Sequence, residues 1–220
     1  MKKTLIAMLV LLMAASAFAV NPVGKGMLYM DGAWTGNFAI RGGDLNKGGS
    51  EDSPTYLQLD PSLGYFLADG LAIGVTLKFA NFTWGDYKET TFGAGPRVIW
   101  FPTAKNADEP KGKILPFLSG SFIYQSMKVE DPGSTPELAK LAAANATDDT
   151  KISGYAARFS GGGVWMLSGV WGVHGEAYFE LQNAKTTYTP AVGPEVEGDG
   201  ISGNEFGIML GVIAFFGSAK

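Results

Sequence analysis

Apolar and polar residues alternate one by one through most of the chain. In the clearest example, Trp171 to Gln182, one set of alternate positions is mostly apolar and the other carries His174, Glu176 and Glu180. Because successive side chains of a β-strand point to opposite faces of a sheet, this segment predicts a strand with one apolar and one charged face. The two-residue period and the many glycines disfavour a helix.

The same alternation recurs along the chain and predicts eight strands: Leu28–Trp34, Leu57–Tyr65, Leu71–Phe79, Phe92–Trp100, Ile114–Met127, Tyr155–Trp165, Trp171–Gln182 and Glu205–Phe216. It is least regular in the fifth strand, where Phe117 and Ile123 fall on the polar set. Glycines lie mostly on the polar set, and small residues fit the interior of a narrow barrel because it has little room inside. The pattern therefore predicts an all-β fold, an eight-stranded antiparallel up-and-down transmembrane β-barrel with its polar set inward.

The composition fits a chain that exposes apolar residues to lipid. The mean hydropathy is +0.08, and 46% of the residues are hydrophobic. Beyond residue 20, however, no charge-free apolar run approaches the roughly 18 residues of a transmembrane helix. A transmembrane barrel disperses its apolar residues as alternate outward positions. The alternative is a soluble ligand-binding barrel of the lipocalin type, in which the apolar set would point inward.

The N-terminal residues have the features of a cleaved signal peptide. Lys2 and Lys3 precede the apolar run Thr4–Met13, and Ala17-Phe18-Ala19 is a small-residue cleavage site. We predict a signal peptide over 1–19 and one outer-membrane β-barrel domain over 20–220. Without the two N-terminal lysines the chain has 15 basic and 21 acidic residues, a net charge of -6, which argues against nucleic acid as a partner.

The lengths of the connections predict the orientation of the barrel. One end has two short turns and one longer link, and it is predicted to face the periplasm with both termini: Leu67–Gly70, Leu167–Gly169 and Pro102–Gly112. The opposite end has the predicted outer loops: Gly42–Pro54, Trp84–Tyr87, Val129–Thr150 and Thr186–Gly203. In the third outer loop, Ser134 to Ala144 predicts a short helix that would need packing to be stable.

Aromatic residues are predicted to form two girdles at the membrane interfaces. The periplasmic girdle would contain Tyr65, Trp100, Trp165, Trp171, Phe215 and Phe216. The outer girdle would contain Trp34, Phe82, Trp84, Phe122, Tyr124 and Tyr155.

The inward set predicts a network of charged side chains in the barrel: Asp31, Asp60, Lys78, Arg97, Arg158, Glu176, Glu180 and Glu205. Buried charges are tolerated when they are paired and hydrogen-bonded. Counting positions from the periplasmic end places Arg158, Glu180 and Glu205 in a higher tier than the other five. Arg158 and Glu180 lie on neighbouring strands and are predicted to pair. The network is predicted to close the lumen, and a narrow or gated conduit is the alternative.

One hairpin carries a family resemblance. The segment Pro61-Ser62-Leu63-Gly64-Tyr65-Phe66-Leu67-Ala68-Asp69-Gly70-Leu71-Ala72-Ile73-Gly74 resembles the second hairpin of the small outer-membrane barrel superfamily that includes OmpA and OmpX. The resemblance implies an outer-membrane location. Glu205 to Val212 is similar to the signal that the barrel assembly machinery reads, although four residues follow Phe216. The resemblance thus implies that machinery as a partner during insertion.

The side chains of this sequence are compatible with three functional classes of membrane barrel. The first is a structural or surface-interaction role without enzymatic activity, as a monomer in contact with outer-membrane lipid and lipopolysaccharide. The second is a small pore. The third is a lipid-modifying enzyme, for which His174, the one histidine, would need a nucleophile such as Ser160 and an acid beside it. The acidic outer loops lack the spacing of a calcium loop, and neither a metal site nor a cofactor is predicted.

Overall fold

The computed structural model describes residues 21–36, 40–43, 55–84, 87–104, 110–130, 150–188 and 196–217. The predicted signal peptide over 1–19 and the predicted helix from Ser134 to Ala144 lie outside these residues. So do the central parts of the first, third and fourth predicted outer loops. Among the described residues, no helix is long and apolar enough to cross a membrane.

The described residues form one sheet of nine strand segments. Their bounds are β1 Leu28–Thr35, β2 Ile40–Gly43, β3 Thr55–Ala68, β4 Leu71–Trp84, β5 Tyr87–Trp100, β6 Ile114–Glu130, β7 Thr150–Met166, β8 Trp171–Tyr188 and β9 Val196–Phe216. From β3 to β9 each strand pairs antiparallel with the next. β1 pairs with β3 on one side and with β9 on the other, which closes the sheet into a barrel.

β1 and β2 occupy the same position in the barrel wall. Trp34 in β1 is paired with Leu210, and Ile40 in β2 is paired with Phe206, farther along the same edge of β9. The nine segments therefore make an eight-stranded barrel with sequential strand order, which confirms the predicted fold class. The division of the first strand into two segments was not predicted.

Side chains alternate between the outside and the inside along every strand whose side chains are described. In β3 the burial pattern alternates strictly over twelve residues. Leu63 is 58% exposed on the outside, whereas the neighbouring Ser62 is 5% exposed on the inside. The lipocalin-type alternative is thus wrong, because the apolar set covers the outer wall.

The two short turns lie at the same end of the barrel, which we call the short-turn end. The β3–β4 turn uses Gly70 with φ 76°, a left-handed conformation that glycine adopts without a Cβ clash. Residues 21–27 lie across this end and are held by backbone hydrogen bonds. The Gly70 amide donates to the Val23 carbonyl at 2.7 Å, and the Phe66 amide donates to the Met27 carbonyl at 2.8 Å.

The interior at the short-turn end is apolar, which the sequence analysis did not predict. Its centre is a set of phenylalanine rings, with Phe66 and Phe101 6.0 Å apart and Phe101 and Phe117 5.7 Å apart between centroids. Val23 and Met27 are fully buried against this layer. The polar interior is therefore confined to the middle and the far part of the barrel.

Among the predicted girdle residues whose side chains the structure describes, two point inward; the side chain of Trp84 lies outside the described part. Phe215 is fully buried in the apolar layer. Adjacent strand residues face opposite sides, so Phe215 and Phe216 cannot both face lipid. Phe82 packs beside Met127 and Ile152 inside the far end of the barrel. It lies on the same alternate set as Lys78, which is inward.

Candidate functional site: the barrel interior

Four charged or titratable side chains meet just above the apolar layer and form what we call the lower cluster: Asp31, Arg97, His174 and Glu176. Arg97 Nη1 donates to Asp31 Oδ2 at 2.8 Å, and Arg97 Nη2 lies 3.4 Å from Glu176 Oε2. His174 Nε2 is 2.8 Å from Asp31 Oδ1. All four are buried, so each carboxylate has the hydrogen-bonded partner that a buried charge requires.

Serine hydroxyls complete the lower cluster. Ser62 Oγ accepts a hydrogen bond from Arg97 Nη1 at 2.9 Å. Ser160 Oγ donates to Glu176 Oε2 at 2.8 Å and lies 2.7 Å from Ser119 Oγ. The hydroxyls tie the β3, β6 and β7 walls to the charged groups.

A second group, the upper cluster, lies farther from the short-turn end: Asp60, Lys78, Arg158, Glu180 and Glu205. Arg158 Nε donates to Glu180 Oε2 at 2.7 Å, and Arg158 also pairs with Asp60. Lys78 pairs with the other oxygen of Glu180. Glu180 therefore holds two cations at once.

Neutral polar residues surround the upper cluster. Tyr178 Oη donates to Glu205 Oε1 at 2.6 Å, and Gln58 Nε2 donates to Asp60 Oδ2 at 2.7 Å. The Arg158 guanidinium also lies 4.9 Å from the centre of the Tyr178 ring, a cation–π contact.

Two ion pairs of the upper cluster join opposite walls of the barrel. Asp60 is on β3 and Arg158 on β7, four wall positions apart in a barrel of eight. Lys78 on β4 and Glu180 on β8 have the same relation. Charged side chains thus meet across the lumen at its middle, which fits the filled interior of other eight-stranded barrels.

All eight inward residues named from the sequence are buried, but their grouping differs from the predicted tiers. Asp60 and Lys78 belong with Arg158 and Glu180 rather than with Arg97. Counting positions along each strand ignores how far a long side chain reaches across the lumen. Lys78 and Arg158 both extend to carboxylates on the opposite wall.

Inward glycines make room for large side chains on the adjacent strand. Gly207 is paired with Tyr178, and a Cβ built on Gly207 would lie 2.6 Å from Tyr178 Oη. Gly211 is paired with His174 and would clash with it in the same way. The glycines of the polar set therefore let rings lie flat along the inner wall.

Several neutral partners in the network were not predicted from the sequence: Gln58, Ser119, Gln125, Ser160, Tyr178 and Gln182. Gln125 Nε2 donates to Gln182 Oε1 at 3.1 Å, and Gln182 Nε2 donates to Glu180 Oε1 at 2.7 Å. Their position on the inward set of alternate residues was the signal that could have identified them.

Comparison with solved structures shows which fold this is. The sequence matches no protein-family model and no curated protein. Its structure is similar to that of the neisserial surface protein NspA, with a TM-score of 0.54 and 11% identity over 86% of this chain and 99% of NspA. It is also similar to outer membrane protein AlkL, solved in DMPC lipid bilayers, with a TM-score of 0.54 and 13% identity over 90% of this chain and 93% of AlkL.

The chain has the small eight-stranded outer-membrane β-barrel fold. This confirms, for the fold, the resemblance that the Pro61 to Gly74 hairpin indicated. The outward apolar wall and the charged interior are the arrangement that such a barrel needs in lipid.

The described interior of the barrel does not assemble a hydrolytic triad. Ser160 is hydrogen-bonded to Glu176, and His174 Nε2 contacts Asp31 instead of a serine. Nucleophilic catalysis needs the base next to the nucleophile. His174 Nδ1 has no hydrogen-bond partner within the described residues. The residue is among those that line a cavity of about 10 Å³, which is close to the space of one water molecule.

Within the described part of the chain, no group of three or more histidine, cysteine, aspartate or glutamate side chains is arranged to hold a metal ion. The carboxylates of both clusters are instead held by guanidinium, ammonium, hydroxyl or amide groups. The interior chemistry of these residues is therefore ion pairing across a closed space.

Proposed function

We propose that this outer-membrane barrel has a structural or surface-interaction role and that its lumen is closed. In this proposal the short-turn end and both termini face the periplasm of a Gram-negative-type envelope, after cleavage of the signal peptide. The barrel assembly machinery inserts the chain, and the wall contacts outer-membrane lipid and lipopolysaccharide as a monomer. The outer loops face the surroundings of the cell.

The observation that carries the proposal is the pairing of charges across the lumen. Asp60 with Arg158, and Lys78 with Glu180, join opposite walls. The apolar layer and residues 21–27 lie beneath them. An ion or solute would have to break buried ion pairs and displace packed aromatic rings to pass. A role that depends on the wall and the loops is therefore favoured over conduction.

Planar-bilayer recording tests the closed lumen. The refolded wild-type barrel is expected to give no steady conductance, because the upper cluster and the apolar layer block the lumen in series. A variant with Lys78→Ser and Arg158→Ser, together with Phe101→Ala and Phe117→Ala, is the positive control and is expected to leak. Steady large conductance by the wild type would contradict the proposal and favour the small pore.

A complementation experiment separates the structural role from the surface-interaction role. A deletion strain is given either the full chain or a barrel with residues 131–149 and 189–195 replaced by short glycine-serine turns. If the barrel is structural, both chains restore resistance to detergent. If the loops carry the function, only the full chain does. An unchanged phenotype on deletion would contradict both roles.

Mass spectrometry of lipid A tests the third functional class, a lipid-modifying enzyme. Unaltered lipid A in the deletion strain is expected because the described interior lacks a triad.

A further inference from the structure

A regular order of side chains marks the end of the apolar wall on β5, β6 and β8. In each strand the last outward apolar residue is followed by an outward hydroxyl or amide residue and then by an exposed lysine. The three sequences are Phe92–Thr90–Lys88, Tyr124–Ser126–Lys128 and Leu181–Asn183–Lys185. In β7, which lies between β6 and β8, Ser153 is paired with Ser126, so the hydroxyl or amide level occupies four consecutive strands.

In β4 and β9 the described outward residues at this end do not include a lysine at the corresponding position. The corresponding outward order is Phe79–Asn81–Thr83 in β4 and Phe206–Asn204–Ser202 in β9. The lysine row, which we define as Lys88, Lys128 and Lys185, therefore lies within one half of the barrel wall. On these strands the three lysines lie at similar distances beyond the end of the apolar wall.

The lysine row is at the level expected for lipid headgroups. Lys128 is four residues beyond Tyr124, which is about 13 Å along a strand and less along the normal of the membrane because barrel strands are tilted. Tyr124 and Tyr155 are exposed and contact each other, with ring centroids 5.3 Å apart, and tyrosine favours the interface between hydrocarbon and headgroups. Long lysine side chains can reach either way along the wall from there.

We propose that the lysine row binds the phosphates of a phosphorylated glycolipid in the outer leaflet, that is, the lipid A part of lipopolysaccharide. This rests on the proposed orientation, in which this end faces outward. The lysines supply the charge for phosphate oxygens. Thr90, Ser126, Ser153 and Asn183 lie between the lysines and the apolar wall, and their side chains can hydrogen-bond sugar hydroxyls. The aromatic and aliphatic wall contacts acyl chains.

Ion pairing within the protein does not prevent this binding. Lys128 and Lys185 each have a further interaction within the chain. An ammonium group has three donors, so each lysine can also donate to a phosphate oxygen. Lys88 and Lys128 stand on neighbouring strands, and Lys128 is paired with Thr90. Such diagonal neighbours are about 7–8 Å apart, close enough for one headgroup to touch both.

The test measures binding of fluorescent lipid A to the full barrel in zwitterionic micelles. The variant changes Lys88, Lys128 and Lys185 to serine. Its matched control changes Lys25, Lys111 and Lys113, three exposed lysines at the short-turn end, and so alters the net charge equally. Juxtamembrane lysines contribute about 1 kcal/mol each to anionic lipid binding, so the row variant is expected to bind roughly 100-fold more weakly. The control is expected to bind like the wild type.

Two further ligands decide the chemistry of the partner. Dephosphorylated lipid A is expected to bind the wild type as weakly as phosphorylated lipid A binds the row variant. Phosphatidylglycerol is expected to compete poorly, because it offers one phosphate and lacks the sugar. Equal loss of affinity in the row variant and its control would overturn the site. If the wild type binds dephosphorylated lipid A as tightly as phosphorylated lipid A, the ligand is not recognised by its phosphates. If phosphatidylglycerol competes as well as lipid A does, the ligand is not a phosphorylated glycolipid.

Failure of the site can be distinguished from failure of the proposed function. Each variant is first checked for heat-modifiable gel mobility, which reports a folded barrel, and for absence of conductance. If a variant is folded and does not conduct, and binding does not discriminate among these lipids, the proposed lipid site at the lysine row is wrong while the closed lumen stands. A conducting wild type contradicts the closed lumen, whatever it binds.

Discussion

At the scale of single residues, the interior depends on partners for every buried charge. Arg158 is the clearest case because its guanidinium contacts Asp60, Glu180 and the Tyr178 ring. Removing one member of a buried ion pair leaves the other charge uncompensated, which typically costs 3–5 kcal/mol. The ion pairs thus set strict limits on substitution inside the barrel.

We expect Arg158→Met to lower the free energy of unfolding by about 3–5 kcal/mol, since Asp60 and Glu180 lose their shared cation. Urea unfolding of the barrel in lipid vesicles, followed by tryptophan fluorescence, measures this difference. Lys113→Met, at an exposed position, is the control and should change stability by less than about 0.5 kcal/mol. Similar stability for both variants would contradict the paired interior.

Gly207→Ala tests the close approach of Tyr178. The added methyl would displace the ring from the inner wall and weaken its hydrogen bond to Glu205, at an expected cost of about 1–3 kcal/mol. Gly175→Ala is the matched control, because its Cβ would meet only Leu210 Cδ2 at an ordinary 3.6 Å. The same urea assay compares the two, and a neutral Gly207→Ala would show that the ring does not need the glycine.

The period-two pattern predicted which residues face inward and, from their neighbouring strands, the confirmed pair of Arg158 and Glu180. It did not predict the contacts across the lumen. Lys78 and Glu180 are 102 residues apart in sequence, and their contact depends on the reach of a lysine across the lumen. Phe215 lies near the strand end, as the residues of the periplasmic girdle do, but its position in the alternation places it inside the barrel. The register of neighbours, and hence Tyr178 opposite Gly207, also cannot be read from one strand alone.

At the scale of strands, the sequence predicted the membrane-facing parts better than the full lengths. The alternation of β6 becomes indistinct beyond Tyr124, yet the strand continues to Glu130. Backbone ladders need no apolar residues, so the polar extensions of β6 to β9 give no hydrophobic signal. The division between β1 and β2 was missed for a related reason, because β2 has few apolar residues to mark its faces.

The pairing of β1 with β9, which closes the barrel, can be tested by cross-linking. Because the chain has no cysteine, only the introduced cysteines can form a disulfide. Met30 is paired with Ala214, so Met30→Cys with Ala214→Cys should form a disulfide on mild oxidation. Met30→Cys with Leu210→Cys is the control, because Leu210 is paired with Trp34 and lies too far from position 30 to bridge. Peptide mass spectrometry detects the cross-link. Equal cross-linking of both pairs would contradict the register of the seam.

At the scale of the whole molecule, the barrel is layered along its axis. An apolar layer at the short-turn end is followed by the lower and upper clusters and then by Met127, Ile152 and Phe82. The outer wall is apolar around the middle and polar at the far end, with the lysine row on one side. The described residues thus form a barrel with an apolar outer wall around an interior of alternating apolar and charged layers.

The most direct test of this account measures intermolecular NOEs from lipid acyl chains and from water to the side chains of β8, in the intact wild-type barrel. Phe179 and Leu181 are outward, whereas His174 and Tyr178 are buried inside. We expect acyl-chain NOEs at Phe179 and Leu181, no acyl-chain NOEs at His174 and Tyr178, and no bulk-water NOEs at Tyr178. Bulk-water NOEs at Tyr178, or acyl-chain NOEs missing from Phe179 and Leu181, would contradict a closed barrel in lipid.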